Sequence, residues 1–474
     1  MDACGEALCG NLGSMMRGCE EKLIIYLQKV TRNTKFLHCN TKSIDKTNLN
    51  AYSRIRICER LVFIMEIMRE EYFQRLVGYK DKKIIKVITG VRRCGKSTLL
   101  KMFKDYLLEN AVMKEQIIDI NFEDFDYEHL LDVKALYAYI KERIVPDKMM
   151  YLILDEIQNV KEFQKVVDSL FIKENMDIYI TGSNSYMLSG ELATLLSGRY
   201  IKIEMLPFSF AEFVIANQME DNLERAYQKY VENGSFPYVS NLEVEKNQIY
   251  DYLKSIYDTI ILKDVISRKK ITDVMMLERV IRFLADNIGN PLSTKKISDT
   301  MTSNGRSINV RTVESYISAF MDSYIVYQAK RYDVKGKQYL KTIEKYYMVD
   351  IGLRNAMLGS SANADVGHIL ENVIYLELLR RGYEVYIGKV DSVEVDFVAK
   401  GTKGLKYIQV SASVRDANTL ERELRPLQKI SDHYPKCIMT LDVDPEADYE
   451  GIRKINALDF LMHRVEFLGK SLRK

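Results

Sequence analysis

Between residues 84 and 206, short apolar runs alternate with stretches of helical periodicity. Ile84–Thr89 (IIKVIT) reads as a buried strand, and Leu99, Leu100, Phe103, Tyr106 and Leu107 then recur on one face of a helix. Gln116–Phe122, Tyr151–Leu154 and Asp177–Thr181 are further strand-like runs, and Ile201–Leu206 alternates as a half-buried strand does. From 208 to 270 the spacing turns helical: Phe210, Phe213 and Val214 share one face, Tyr227, Tyr230 and Val231 another, with Gly234-Ser-Phe-Pro237 as punctuation. Helical patterns follow at Met275–Ile288, Thr294–Thr302 and Asn309–Asp322, then a hairpin pattern, Tyr324–Tyr332 and Tyr339–Val349, around Asp333–Lys337. Three helices and a hairpin are the layout of a winged helix-turn-helix. Further on, Gly367–Asn372 opens a helix, and Glu384–Ile387, Glu394–Val398 and Tyr407–Ser411 read as strands. The predicted class is α/β and multidomain.

At 474 residues the chain exceeds what one hydrophobic core ordinarily serves, which supports several domains. Its 69 basic and 66 acidic side chains nearly cancel, so any contact with nucleic acid must come from a local patch. No apolar run could span a bilayer and the first residues lack the order of a secretory signal, which predicts a cytoplasmic protein with no membrane partner. Seven cysteines without CxxC spacing argue against a disulfide framework or a thiolate metal site; five of them (Cys4, Cys9, Cys19, Cys39, Cys58) crowd the N-terminus. Residues 1–64 read either as a poorly ordered N-terminal extension ahead of alternative starts at Met65 and Met68, or as a small helical subdomain around Glu21–Val30. Tyrosines are abundant, and at helical spacing they read as core or interface rather than as a base-stacking platform for nucleic acid.

The chemistry concentrates where the first strand meets the first helix. Gly90-Val91-Arg92-Arg93-Cys94-Gly95-Lys96-Ser97-Thr98 fits GxxxxGK[ST] in that setting: glycines let backbone N–H groups turn onto phosphates, and the helix adds its positive end. Residues 90–98 are thus the expected ATP-binding loop, with Lys96 reaching the β- and γ-phosphates and Ser97 holding Mg²⁺. Arg92 and Arg93 either contact phosphate or face solvent. The strand from Tyr151 delivers Asp155 to the metal and sets Glu156 beside it to polarise the attacking water. Gln116–Phe122 supplies the extra strand between loop and acids that such a glutamate requires. After Asp177–Thr181 comes Gly182-Ser183-Asn184, where a polar side chain, Asn184 ahead of Ser183, could sense the γ-phosphate; a plain turn is the alternative. Arg199, at the entry to the fifth strand, is either a solvated strand-end residue or an arginine stabilising the transferring phosphate, in cis or from a neighbour in a homo-oligomer.

In this order, KVITGVRRCGKSTLL (86–100), LILDEIQ (152–158), ITGSNSYML (180–188) and LSGRYIKIEMLPFSFAEF (196–213) resemble a family of bacterial and archaeal AAA-type ATPases. That family carries a C-terminal domain of unknown function akin to restriction endonucleases. The resemblance implies an AAA-type P-loop core at 65–207, a helical lid at 208–270, a winged helix-turn-helix at 271–350 and a nuclease-like α/β domain at 351–474. In a winged helix, Arg311, Thr312 and Ser315 are candidate readers of duplex DNA, with Arg306 and Lys337 on phosphates; a protein–protein adapter is the alternative. The resemblance also puts Glu371 and Asp396 on the carboxylate pattern of a metal-dependent nuclease. Gln409 and Ser411 depart from that pattern, the latter standing where its lysine belongs, which points to a degenerate nuclease fold. The expected function is Mg-ATP hydrolysis driving a conformational change coupled to DNA or a protein client. The alternatives are a nucleotide-dependent binding switch with negligible turnover and an ATP-gated metal-dependent nuclease.

Overall fold

The computed structural model describes residues 69–185, 196, 198–240, 246–303, 305–336, 338–359, 366–467 and 469–470. The expectations for 1–64, Met65, Met68 and Lys337 lie outside the described residues. Residues 69–103 and 113–474 fall in one compact unit, whose described residues hold both large sheets and the candidate site.

The first sheet is parallel, in the order β2-β3-β4-β1-β5. Its strands are β1 (Ile85–Thr89), β2 (Ile117–Asn121), β3 (Met150–Asp155), β4 (Met176–Gly182) and β5 (Tyr200–Glu204). The three central strands are buried along their whole length, as strands covered on both faces are, which is why they read as unbroken apolar runs. Leu136 and Ile140 from one helix, and Val166, Val167 and Leu170 from another, pack with Ile118, Leu152 and Ile178 of the sheet. Parallel pairing gathers the C-terminal ends on one edge, with Thr89 beside Gly182 and Asn121 beside Asp155. Within this core Lys86 is fully buried, a tolerable placement because it pairs with Asp177 on the neighbouring strand. Asp177 also accepts from the Tyr179 hydroxyl at 2.9 Å and the Asp81 amide at 2.9 Å.

After β5 the chain turns helical. Ser209 and Glu212 cap the helix Phe210–Ala216 reciprocally, and Phe210 and Phe213 meet Tyr227 and Tyr230 of the helix Leu223–Asn233 edge to face. The helix Lys246–Thr259 runs into a π-helical turn, Ile260–Ile266. Helices Val274–Asp286, Thr294–Ser303 and Val310–Asp322 follow the three expected patterns.

The hairpin is present as β6 (Val326–Asp333) and β7 (Gln338–Met348), but it is not a free wing. β6 pairs in parallel with β8 (Glu384–Val390), through Arg331 opposite Ile387. The other strands of this sheet are β9 (Val393–Gly401), β10 (Gly404–Val410), β11 (Lys436–Thr440), β12 (Ala447–Tyr449) and β13 (Ile452–Asn456), and together they make one mixed sheet, β12-β13-β11-β10-β9-β8-β6-β7. The expected boundary at 350 is therefore corrected, because the sheet continues across it. An open strand edge exposes unpaired backbone groups, and β8 takes up those of β6. Asn372 does the same for β7, accepting from the Met348 amide at 2.8 Å and donating to its carbonyl at 2.9 Å.

Candidate functional site

β1 hands the chain to residues 90–95, and the helix Lys96–Glu109 starts directly afterwards. Gly90 has φ +146°, and a Cβ there would lie 2.1 Å from the Met205 carbonyl oxygen, so the position requires glycine. Lys96 is buried at the centre of the loop. Its ammonium donates to the Gly90 and Val91 carbonyls at 3.1 and 3.3 Å and lies 3.5 Å from Glu156 Oε1. Val91 and Cys94 are buried beneath, whereas Arg93, Ser97 and Thr98 are exposed. Arg92, Arg93, Gly95, Lys96, Ser97 and Thr98 line one cavity of about 1140 Å³ together with Glu156. Arg69, which carried no signal in the sequence, braces the loop: its guanidinium donates to the Cys94 and Leu206 carbonyls, each at 2.9 Å, and to Glu212 at 2.8 Å.

Asp155 closes β3, and its carboxylate accepts from the hydroxyls of Ser97 and Thr181. The Thr181 oxygen in turn accepts the Glu156 amide at 2.8 Å, so one hydroxyl fixes both acids. Glu156 has φ 53° and ψ 43°, a left-handed conformation uncommon outside glycine and typical of positions held by their surroundings for function. Burial pushes its carboxyl up, but Lys96, the Gln158 amide, Arg92 and Ser183 outweigh burial and hold it below the ordinary glutamate value. For Asp155 burial wins over its hydroxyl donors, and its carboxyl sits above the ordinary value. From the Gly182–Asn184 turn, Ser183 hydrogen-bonds the Glu156 carboxylate. Asn184 is buried and directs its amide to the Asp264 carbonyl at 3.5 Å.

Arg92 neither faces solvent nor stands alone. It grips Asp264 with two bonds, 2.5 and 3.2 Å, and reaches Glu123 at 3.0 Å, which ties the loop to the π-helical turn. No local pattern could have paired residues so far apart in sequence. Arg199 is not brought to the site within the chain. Tyr200 pairs with Ile85 at the entry edge of the sheet, and the length of β1, about 3.3 Å per residue, separates that edge from the loop. There Arg199 is exposed and paired with Asp168. Its place was readable, since the residue before a parallel strand sits at the edge opposite the P-loop.

Glu371, Asp396 and Gln409 do converge in the second sheet, but a cation from β7 stands among them. Lys345 is buried, 2.9 Å from Glu371, 2.8 Å from Glu394 and 3.8 Å from Asp396. Tyr347 donates to Glu371 at 2.6 Å, and Gln409 spends its oxygen on the Asp396 amide (2.8 Å) and its nitrogen on Glu423 (2.7 Å). Burial first, then Glu371, pushes the Asp396 carboxyl up to about 8, against the pull of Lys345. Ser411 turns to the Ser413 carbonyl at 3.0 Å. A lysine thus stands beside these carboxylates, supplied by β7 and not by position 411, and both ends of the Gln409 amide are already bonded. Among the described residues, no group of three or more His, Cys, Asp or Glu side chains is arranged to hold a metal ion.

Residues 82–214 match a family described as AAA domain, and residues 224–364 match a domain of unknown function (DUF8612). The second match falls mainly on the helices and hairpin rather than, as expected, on the C-terminal domain. The described site residues of the first sheet lie inside the AAA match, apart from Arg69 and Asp264. An uncharacterized protein of Haemophilus influenzae is 40% identical over 400 residues, covering 84% of this chain and 98% of that protein. An uncharacterized protein of Methanocaldococcus jannaschii is 31% identical over 363 residues, covering 73% and 78% respectively. Among solved structures, a Walker-type ATPase of Pyrococcus abyssi matches with a TM-score of 0.46 at 12% identity, over 62% of this chain and 99% of that one. The chain belongs to the family of these Haemophilus and Methanocaldococcus proteins, and its residues 82–214 match the AAA domain.

Proposed function

We propose that the protein hydrolyses Mg-ATP at the P-loop and couples turnover to a conformational change. The observation that carries this reading is the joint fixing of Asp155 and Glu156 by Thr181, at the edge where the loop begins. The loop N–H groups and the start of the helix Lys96–Glu109 receive the phosphates, and Lys96 meets the β- and γ-phosphates. The Ser97 hydroxyl and Asp155 carboxylate are oxygen donors that would hold Mg²⁺, whose charge would offset that of the phosphates. Glu156, held ionised, accepts the proton of the attacking water, and Ser183 helps to aim its carboxylate.

A buried polar path supports coupling to the rest of the molecule. The Tyr72 hydroxyl accepts from the Leu206 amide and from Arg380, each at 3.2 Å, and Arg380 pairs with Glu377 on the helix Val366–Arg380. Duplex DNA is the partner we favour: exposed Arg311 and Ser315 line an open hollow with Asn309 and Thr312 at the start of the helix Val310–Asp322. Arg306 is engaged there by Asp273 at 3.4 Å. We read the carboxylates around Lys345 as structural, because the Gln409 amide that would join them at a metal is engaged by the Asp396 amide and Glu423. No helix among the described residues is long and apolar enough to cross a membrane.

The test is steady-state ATP hydrolysis by the full chain, with and without duplex DNA at several salt concentrations. Turnover lost in Lys96→Ala and Glu156→Gln, and stimulated by DNA in a strongly salt-dependent way, is the expected result. Turnover that survives both substitutions would overturn the assignment.

A further inference from the structure

The cavity that holds the P-loop residues is larger than a chain of phosphates needs, and its wall changes character away from Lys96. Pro237, Tyr238 and Tyr252 line it together with Gly95, Thr98 and Arg93. The two tyrosine rings lie 5.0 Å apart at 46°. Tyr238 is 52% exposed, unusual for so large a ring in this molecule, and Tyr252 is half-buried.

The strap that presents Tyr238 is rigidly held. Asp350, buried, accepts from the Ser235 amide at 2.6 Å and the Ser235 hydroxyl at 2.7 Å, and Phe236 is fully buried. Gly234 has φ +82°, and a Cβ there would come 2.5 Å from Asp350 Oδ1. Gly352, on the helix that Asp350 caps, presses on the same strap: a Cβ on Gly352 would lie 2.3 Å from the Gly234 nitrogen. An exposed ring on a fixed support is a preorganised apolar face, because little conformational freedom is left to lose when a flat ligand covers it. Pro237 stands over the loop itself, 3.8 Å from where a Gly95 Cβ would be, so the aromatic wall begins where the phosphate cradle ends.

From this juxtaposition we infer that Tyr238 and Tyr252 form the nucleobase subsite of the cavity, with Tyr238 stacking on the base of a nucleotide whose phosphates occupy the P-loop. The inference rests on the P-loop binding a nucleoside triphosphate, and it adds that the far end of the cavity recognises the base through its π-face.

The test is calorimetric titration of the full chain with Mg-ATP and, separately, with magnesium tripolyphosphate, which has the phosphates but no base. Base–aromatic stacking of ordinary strength predicts that Tyr238→Ala weakens ATP binding by about ten-fold or more. Tripolyphosphate binding stays unchanged in that variant, and Tyr238→Phe, which keeps the ring, restores ATP affinity. ATP affinity unaltered in both Tyr238→Ala and Tyr252→Ala, or an equal loss for both ligands, overturns the subsite. Failure of the phosphate reading looks different: Lys96→Ala then binds both ligands as the wild type does.

Discussion

Thr181 carries two demands on one oxygen, donating to Asp155 and accepting from the Glu156 amide in a fully buried position. Thr181→Val keeps the shape and removes both bonds, leaving a buried amide and a buried carboxylate short of partners. The cost expected is on the order of 1–3 kcal/mol in stability, read as a lower urea midpoint, together with at least about ten-fold slower ATP turnover. Wild-type turnover in a folded Thr181→Val protein would show that the acids are positioned by something else. Lys96, Asp155 and Glu156 were legible in the sequence because each sits at a fixed offset in a strand-to-loop motif. Thr181 was not, since a threonine at a strand end is ordinary and its role appears only when β3 and β4 are side by side. Asp264, Arg69 and Lys345 were hidden for the same reason: each meets its partner through the tertiary fold. Spacing locates the turn at Gly182–Asn184 but does not say that Ser183 bonds to the acid.

At the scale of elements, periodicity located the helices of the middle region and the hairpin closely, yet not the hairpin's neighbour. Pairing between β6 and β8 leaves no local trace, because the two strands are separated by the helices Ile351–Leu358 and Val366–Arg380. That junction is fastened by Lys345, which brings β7 onto Glu371 of the following helix and Glu394 of β9. Removing one partner of a buried ion cluster strands the others, so Lys345→Met should destabilise the chain by about 3–5 kcal/mol. Thermal or urea unfolding measures this directly. A variant as stable as the wild type, and newly able to cleave plasmid with Mn²⁺, would instead mean that the lysine masks a working metal site.

At the scale of the whole molecule, the P-loop and the C-terminal sheet share a chain of buried polar contacts. Arg69 holds the Cys94 carbonyl and Glu212, and Arg380 joins Tyr72 to Glu377. Such a chain couples two sites only if both bias the same element. The expected response is that Mg-ATP slows amide exchange along the helix Val366–Arg380 in the wild type, and that Arg380→Met abolishes the response while still binding ATP. Exchange in that helix indifferent to ATP in the wild type would remove the proposed coupling and leave the ATPase intact.

In the proposed mechanism, Glu156 is the residue on which hydrolysis, as distinct from binding, depends. The most direct measurement is single-turnover hydrolysis of Mg-ATP by Glu156→Gln, with the ATP affinity of the same sample measured alongside. Affinity close to wild type with a hydrolysis step slowed by about 10²–10⁴-fold is the predicted result. An unchanged rate would contradict the role of Glu156 as the base that activates water.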